Sequence, residues 1–327
     1  MGSVSIMFGL ILLQGFRDYF QADEPQKTYL NGFESITSNG DYWIYGSVFQ
    51  NLYRASSGGA LYISATTMRI LIDCSVFVNC HSMEEGGAIF LQSSSGESVI
   101  DKVCGKDCLG CMRSETYGQF LKCMVGGARN NITQVSLSNC SSLSSRYSII
   151  FIGTGNPVLT FFNSSRNSMF EYNGGDFRNL NSLNINFCTC AHNFASFSIV
   201  FGFWSTPQSV NYVNFVNNTQ GITDFSLLYK GGYTLQRCYL INNFNSLNKE
   251  IVSEGSIIAN ECYIGAGHSL TSVTVQNSLS DPETHSIAFY YMDNCKPQII
   301  PSIMLKLRNN LIHYVFLAVY PITVLDQ

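Results

Sequence analysis

The sequence predicts an all-β chain wound as a right-handed parallel β-helix, one coil per repeat. Three observations predict it: two segments that align without gaps at one fixed spacing, short apolar–polar alternations in step with them, and a composition poor in helix formers.

The repeat comes first. Val48-Phe49-Gln50-Asn51 leading to Gly58-Gly59-Ala60-Leu61 is matched by Val76-Phe77-Val78-Asn79 leading to Gly86-Gly87-Ala88-Ile89. Phe49 to Phe77 and Gly58 to Gly86 both span 28 positions. Weaker copies follow at Leu137-Ser138-Asn139-Cys140, Phe161-Phe162-Asn163, Phe187-Cys188-Thr189-Cys190, Phe215-Val216-Asn217 and Leu240-Ile241-Asn242, with one long gap between Phe77 and Leu137. Between the anchors, Ile70-Leu71-Ile72-Asp73-Cys74 and Leu183-Asn184-Ile185-Asn186-Phe187 alternate as half-buried strands do. A leucine-rich skeleton is missing, and a propeller blade needs about 40 residues or more. The composition agrees. Of 327 residues, 46% are hydrophobic and only 12% charged, with 27 Gly, 23 Phe and 18 Tyr, and Ala-, Glu- and Lys-rich stretches are lacking.

The anchors then acquire physical roles. Phe49, Phe77, Phe161, Phe187 and Phe215 are expected in one inward column. Asn51, Asn79, Asn139, Asn163, Asn217 and Asn242 are expected in the next turn, because Asn tolerates a left-handed backbone and its amide bonds to the coils above and below. Gly58-Gly59 and Gly86-Gly87 let the chain corner where a Cβ would clash.

Three segments are expected: 1–29, 30–295 as the β-helix, and 296–327. In the first, Ile6 to Leu13 is an apolar run of signal-peptide size, but no Lys or Arg precedes it and no small-residue cleavage site follows clearly. A leader competes there with a buried first strand or cap. In the last, the apolar stretch Leu311 to Leu325 is interrupted by His313 and Pro321 and falls short of the roughly 20 residues of a spanning helix. A core-covering cap competes with a short membrane anchor.

Twelve cysteines fit an oxidising compartment. Four of them, Cys104, Cys108, Cys111 and Cys123, fall in the long gap, and residues 94–130 are expected to bulge from one coil as a Cys-rich loop insertion. Disulfides would hold a loop without its own core. A four-cysteine zinc site would show two regularly spaced C-x2-C pairs, and one is present. Free thiols are the third reading. Cys80 and Cys140 each follow a turn Asn and read as small core fillers or stacked bridges. Asn131, Asn139, Asn163 and Asn217 head N-x-[ST] sequons and are glycosylation candidates.

A net charge of −4 argues against a nucleic-acid partner and against electrostatic membrane binding. No nucleotide, cofactor or metalloprotease motif is present, so no cofactor is expected. Asp281-x-Glu283-x-His285 is the best acid/base constellation, but Pro282 places it in a polar loop.

The Gly-Gly-Ala-[Ile/Leu] sequence preceded by Phe and Asn, at Phe49/Asn51/Gly58-Leu61 and Phe77/Asn79/Gly86-Ile89, resembles the repeats of polymorphic outer membrane proteins and of related surface β-helix proteins found in parasitic protists. The spacing here is F-x-N where the family form is F-x-x-N. Gly126-Gly127-Ala128 is followed by Arg129 and departs from the pattern. The resemblance implies a pectin-lyase-like solenoid and a non-enzymatic, adhesin-like or structural module, secreted or at the cell surface. Its partner would be a surface protein or glycan of a host or neighbouring cell. The alternative is a carbohydrate-active lyase- or hydrolase-like β-helix, or a divergent copy without activity. Carboxylates converging from different coils in one groove would favour the enzyme.

Overall fold

The computed structural model describes residues 15–280, apart from 29, 111–116, 128, 141–147, 170–173, 196–200, 204–208, 222–227, 230–231, 245–249 and 266–268. The described residues all fall within one compact unit, Met1–Pro297. The Ile6–Leu13 run, the Asp281/Glu283/His285 trio and the segment 296–327 lie outside the described residues.

Each coil contributes a strand to each of three parallel sheets, so the fold is the parallel β-helix the repeats predict. The first sheet runs from Lys27–Thr28 through Gly40–Tyr45, Met68–Asp73 and Glu97–Asp101 to Glu250–Asn260 and Ser269–Gln276. The second runs from Glu34–Ile36 through Leu61–Ser64, Ile89–Ser93 and Leu121–Val125 to Phe201–Phe203 and beyond. The third has nine strands, from Val48–Gln50 at one end to Tyr263–Ile264 at the other. Strands pair in register because the side-chain period is two, and a slip of one would turn the core face outward.

One left-handed residue turns the chain from the first sheet into the third. Gly46, Cys74, Lys102, Gln134, Phe161, Phe187, Tyr212, Arg237 and Glu261 occupy this corner on successive coils. A second left-handed corner follows the third sheet, at Asn51, Asn79, Asp107, Asn139, Arg166, His192, Asn217 and Asn242. Five of the six expected asparagines therefore stand where the turn needs them, and Asn79 Nδ2 donates to Asn51 Oδ1 at 2.8 Å. Asn163 does not: it opens the strand Asn163–Ser165, and Arg166 takes its corner.

The inward column needs the same correction. Phe49 and Phe77 stack inside at 4.6 Å, and Phe215 is buried in the same register, but Phe161 and Phe187 point outward from the first corner. The Phe-x-Asn spelling at 161–163 straddles that corner, so Phe162 is the buried ring. The third-sheet place of Phe49 is held in turn by Phe77, Gly105, Leu137, Ser164, Cys190 and Phe215.

The described part of the Cys-rich segment likewise runs as a coil, and residues 111–116 of the expected bulge lie outside the described residues. Cys104–Lys106 pairs with Val76–Val78 on one side and Ser136–Ser138 on the other, while Leu121–Val125 continues from Ile89–Ser93. The gap in the repeat arises because Gly105 stands where Phe is expected. The Phe120 ring fills the space, edge-on to Phe77 at 5.6 Å, and a Cβ on Gly105 would meet it at 2.3 Å. The Gly-Gly corner behaves as expected: Gly58 and Gly86 have φ of +70° and +61°, and a Cβ on Gly59 would lie 2.1 Å from the Gly87 carbonyl oxygen. Gly118, at φ +72°, is a third copy.

Directly after the second left-handed corner, one buried column changes chemistry along its length. Cys80, Cys108 and Cys140 come first, then Asn167, Asn193, Asn218 and Asn243. The Cys108 thiol donates to Phe77 O at 3.6 Å, and the Asn193 amide donates to the corresponding Ser164 O at 3.0 Å. Each Asn also accepts from the preceding rung: Cys140 N to Asn167 Oδ1 at 2.8 Å, Asn167 N to Asn193 Oδ1 at 2.9 Å, Asn218 N to Asn243 Oδ1 at 3.1 Å. Thiol and amide thus serve one need, a donor to the carbonyl of the coil before.

The short helix Phe16–Phe20 lies on the outer face of the first sheet. Tyr19 Oη donates to Asp101 Oδ2 at 3.2 Å, and the outward Trp43, Leu71 and Val99 are buried. No helix among the described residues is long and apolar enough to cross a membrane.

Candidate functional site

The outer face of the second sheet carries the densest chemistry. Ser35, Tyr62, Phe90, Lys122, Phe151 and Asp176 occupy one register on successive coils. Alternation sends these side chains outward while Leu61, Ile63, Ile89 and Leu91 fill the core. Tyr62 and Phe90 stack at 5.2 Å with an interplanar angle of 9°, and Tyr117 leans on Phe151 at 4.4 Å.

Cations interleave with these rings. The Arg54 guanidinium lies 4.1 Å from the Phe33 centroid and 4.8 Å from that of Tyr62. Lys122 Nζ sits between Phe90, Tyr117 and Phe151, 5.6–5.7 Å from each. Arg178 stands 5.0 Å from Tyr117. Each such contact contributes about 0.5–2 kcal/mol, more as it loses water. Two of the three cations have carboxylate partners. Lys122 pairs with Glu85, and Arg178 Nε donates to both Asp176 oxygens at 3.0 Å. Burial pushes the Asp176 carboxyl up to about 6, and Arg178 beside it pulls the other way. Arg54 has no carboxylate partner among the described residues; Nη1 donates to Ser57 O at 3.2 Å.

Two residues further along these strands, about 7 Å away, the face becomes neutral and hydroxylated. A shallow concavity of about 450 Å³ is lined by Thr37, Asn39, Ser64, Thr66, Gln92 and Ser94, among others. The backbone shapes it. Ser93, Ser94 and Ser95 all donate to Thr66 O at 3.0–3.2 Å, and Thr67 N donates to Asn39 Oδ1 at 3.0 Å. A second concavity of about 380 Å³ adjoins it at Asp41, Arg69 and Glu97. There Arg69 Nε donates to Asp41 Oδ1 at 2.8 Å within a forked ion pair.

Carboxylates from neighbouring coils also meet at Asp73 and Asp101, which pair in register. They are 2% and 1% exposed and lie beside the helix Phe16–Phe20, so the pair is covered and lines no open groove. Asp101 accepts from Tyr19 and, at 2.6 Å, from Lys102. Burial and the facing Asp101 raise the Tyr19 phenol, and burial beside Asp73 pushes the Cys74 thiol up to about 12.

The sequence-derived candidates scatter. Cys104 is disulfide-bonded, but Cys108 and Cys123, expected in disulfides, are free thiols buried in the core. The strand Leu121–Val125 points Cys123 inward and the corner at Asp107 turns Cys108 inward, where a thiol packs as a small hydrophobe. Cys111 lies outside the described residues. Among the sequon asparagines, Asn139 is exposed at a corner, Asn217 half-buried at one, and Asn131 and Asn163 half-buried in strands. No group of three His, Cys, Asp or Glu among the described residues could hold a metal ion. Beside the Gly-Gly corner, Glu84 Oε2 accepts from Ser57 N and Oγ of the previous coil at 3.1 and 3.0 Å.

Sequence reasoning missed the ring-and-cation stripe. Its signal was present, since Tyr62 and Phe90 each follow the Gly-Gly-Ala-[Ile/Leu] motif by one residue. Compared with family models, with curated proteins and with solved structures, the chain finds no match in any of the three.

Proposed function

We propose that this chain is a non-enzymatic, adhesin-like or structural interaction module, secreted or at the cell surface, that engages a surface protein or glycan through the outer face of its second sheet. The observation that supports this reading is the adjacency, on that face, of interleaved rings and cations with a hydroxyl- and amide-lined concavity. Rings supply apolar contact at low entropic cost, and hydroxyls and amides supply adaptable hydrogen bonds. The resemblance of the Gly-Gly-Ala repeats to those of polymorphic outer membrane proteins supports a surface location, and the covered state of Asp73 and Asp101 supports a binding role over a hydrolytic one.

Two measurements test it. Antibody against the full chain should label intact, unpermeabilised cells. The purified chain should bind a glycan or cell-surface array, and Tyr62→Ser should weaken that binding while the thermal midpoint stays near that of the parent. Labelling only after permeabilisation would overturn the surface reading, and binding indifferent to Tyr62→Ser would overturn the choice of face.

A further inference from the structure

We infer that the ligand of this face is an acidic saccharide whose carboxylate is read by Arg54. The inference rests on the proposed binding role of the face and names its substrate class.

Charge complementarity carries it. Lys122, Arg178 and Arg69 each hold a carboxylate of the protein. Arg54 holds one carbonyl oxygen and two rings, with no carboxylate among the described residues. A guanidinium has five donors in a rigid fork that matches a carboxylate bidentately, so most of its donor capacity is unspent. Stacking on Phe33 and Tyr62 fixes its plane and lowers the entropy lost on binding. The Phe33 ring is 41% exposed, available to the apolar face of a sugar ring.

The neighbourhood selects a saccharide over a peptide acid. The surface next to the cation offers Ser64, Thr66, Gln92 and Ser94, uncharged donors and acceptors that suit a row of hydroxyls. It offers little apolar area for side chains. The span of about 7 Å from Tyr62 to Ser64 lets one ligand of two or three sugar rings meet both. The net charge of −4 means that long-range attraction does not drive the encounter, so the preference for acid must be local.

The test is calorimetric titration of the full chain with 3′-sialyllactose, its methyl ester, lactose and a triglutamate peptide. The acidic sugar should bind, about tenfold more tightly than the ester or lactose, and added salt should weaken it. Arg54→Gln should lose that preference, Arg54→Lys should keep part of it, and Arg166→Gln, a cation at an exposed corner, should change nothing. Equal affinity for acid and ester, unchanged binding in Arg54→Gln, or no binding of any saccharide would overturn the inference. Triglutamate binding as tightly as the sugar would assign the site to a protein acid and overturn it too. Should Arg54→Gln fail to fold, the acid–ester comparison on the parent still decides. Binding of neutral glycans on the array through Tyr62, with no acid preference, would sink this inference and leave the proposed function standing.

Discussion

Phe161, Phe187 and Tyr212 hold φ of 56°, 55° and 54°, a left-handed backbone that bulky side chains rarely adopt. Each position costs about 1–2 kcal/mol. The rings recover part of it by stacking outside the helix at 5.3 and 4.8 Å, a contact worth about 0.5–1.5 kcal/mol. Arg166 holds the same conformation (φ 55°) at the other corner and is exposed, with no ring stack to offset the strain. Arg166→Gly should therefore stabilise the chain by about 0.5–1 kcal/mol, net of glycine's extra entropy. A denaturation midpoint that stays put or falls would show that this corner stores no strain. Inside, Asn193 accepts from Asn167 N and donates to Ser164 O and Asn218 Oδ1. Asn193→Ala removes all three bonds and leaves Asn167 N without its acceptor, while Asn218 Oδ1 keeps the residue-193 backbone N–H, so the change should cost about 1–3 kcal/mol. Asn193→Cys should cost less, because a thiol there can donate to Ser164 O as Cys108 does to Phe77 O. Urea melts of the two variants check the order, and a cysteine variant no better than alanine would refute the equivalence of thiol and amide in this column.

At the scale of the element, the Gly-Gly corner and the ring stripe impose opposite demands. A Cβ on Gly87 would lie 2.1 Å from Gln119 O and 2.3 Å from the Leu109 carbonyl carbon, both backbone, so Gly87→Ala should cost several kcal/mol by forcing coils apart. A Cβ on Gly32 meets nothing within 4 Å, so Gly32→Ala should stay within about 0.5 kcal/mol. Similar thermal midpoints for the pair would remove the steric account of the corner. The stripe is read through Asp176, raised from 3.8 to about 6. A carboxyl raised on folding binds its proton more tightly in the native state, so its contribution to stability falls as pH climbs from about 4 to 6 and is level above. Relative to the parent, Asp176→Asn should gain on the order of 3 kcal/mol across that window. Parallel pH profiles for the two would deny the shift. The corner was legible in the sequence because glycine has a single reason to recur there. The outward Phe161 and Phe187 were not, because a Phe reads as core wherever it falls, and only the pairing of Thr160 with Asn186 reveals that the next residue turns out. The Cys104–Cys123 segment was misread for a related reason: Gly105 erased the Phe that marks a coil, and a ring from Phe120, distant in the repeat, replaced it.

In the whole molecule each coil rests on its two neighbours, so stability is close to a sum of coil and interface terms and opening spreads from the ends. The cysteines report that behaviour directly. Cys80, Cys108, Cys123, Cys140, Cys188, Cys190, Cys238 and Cys262 are free and buried. The thiolate is the reactive form, and burial raises Cys123 to about 11 and Cys188 to about 12, so these thiols should resist alkylation while their coils stay closed. The coils holding Cys238 and Cys262 are the last two of the described stack, while those of Cys108 and Cys140 are third and fourth from its other end and so lie further inside. In subdenaturing urea, Cys238 and Cys262 should take up iodoacetamide before Cys108 and Cys140, as peptide mass mapping would show. Full labelling without denaturant would contradict the burial of the column. Simultaneous labelling of all eight as urea rises would mean that the stack opens as one cooperative unit and that the interfaces between coils outweigh the coils themselves. A reductant should leave the labelling order unchanged, since Cys104 is the disulfide-bonded cysteine among the described residues and the column is held by packing and hydrogen bonds.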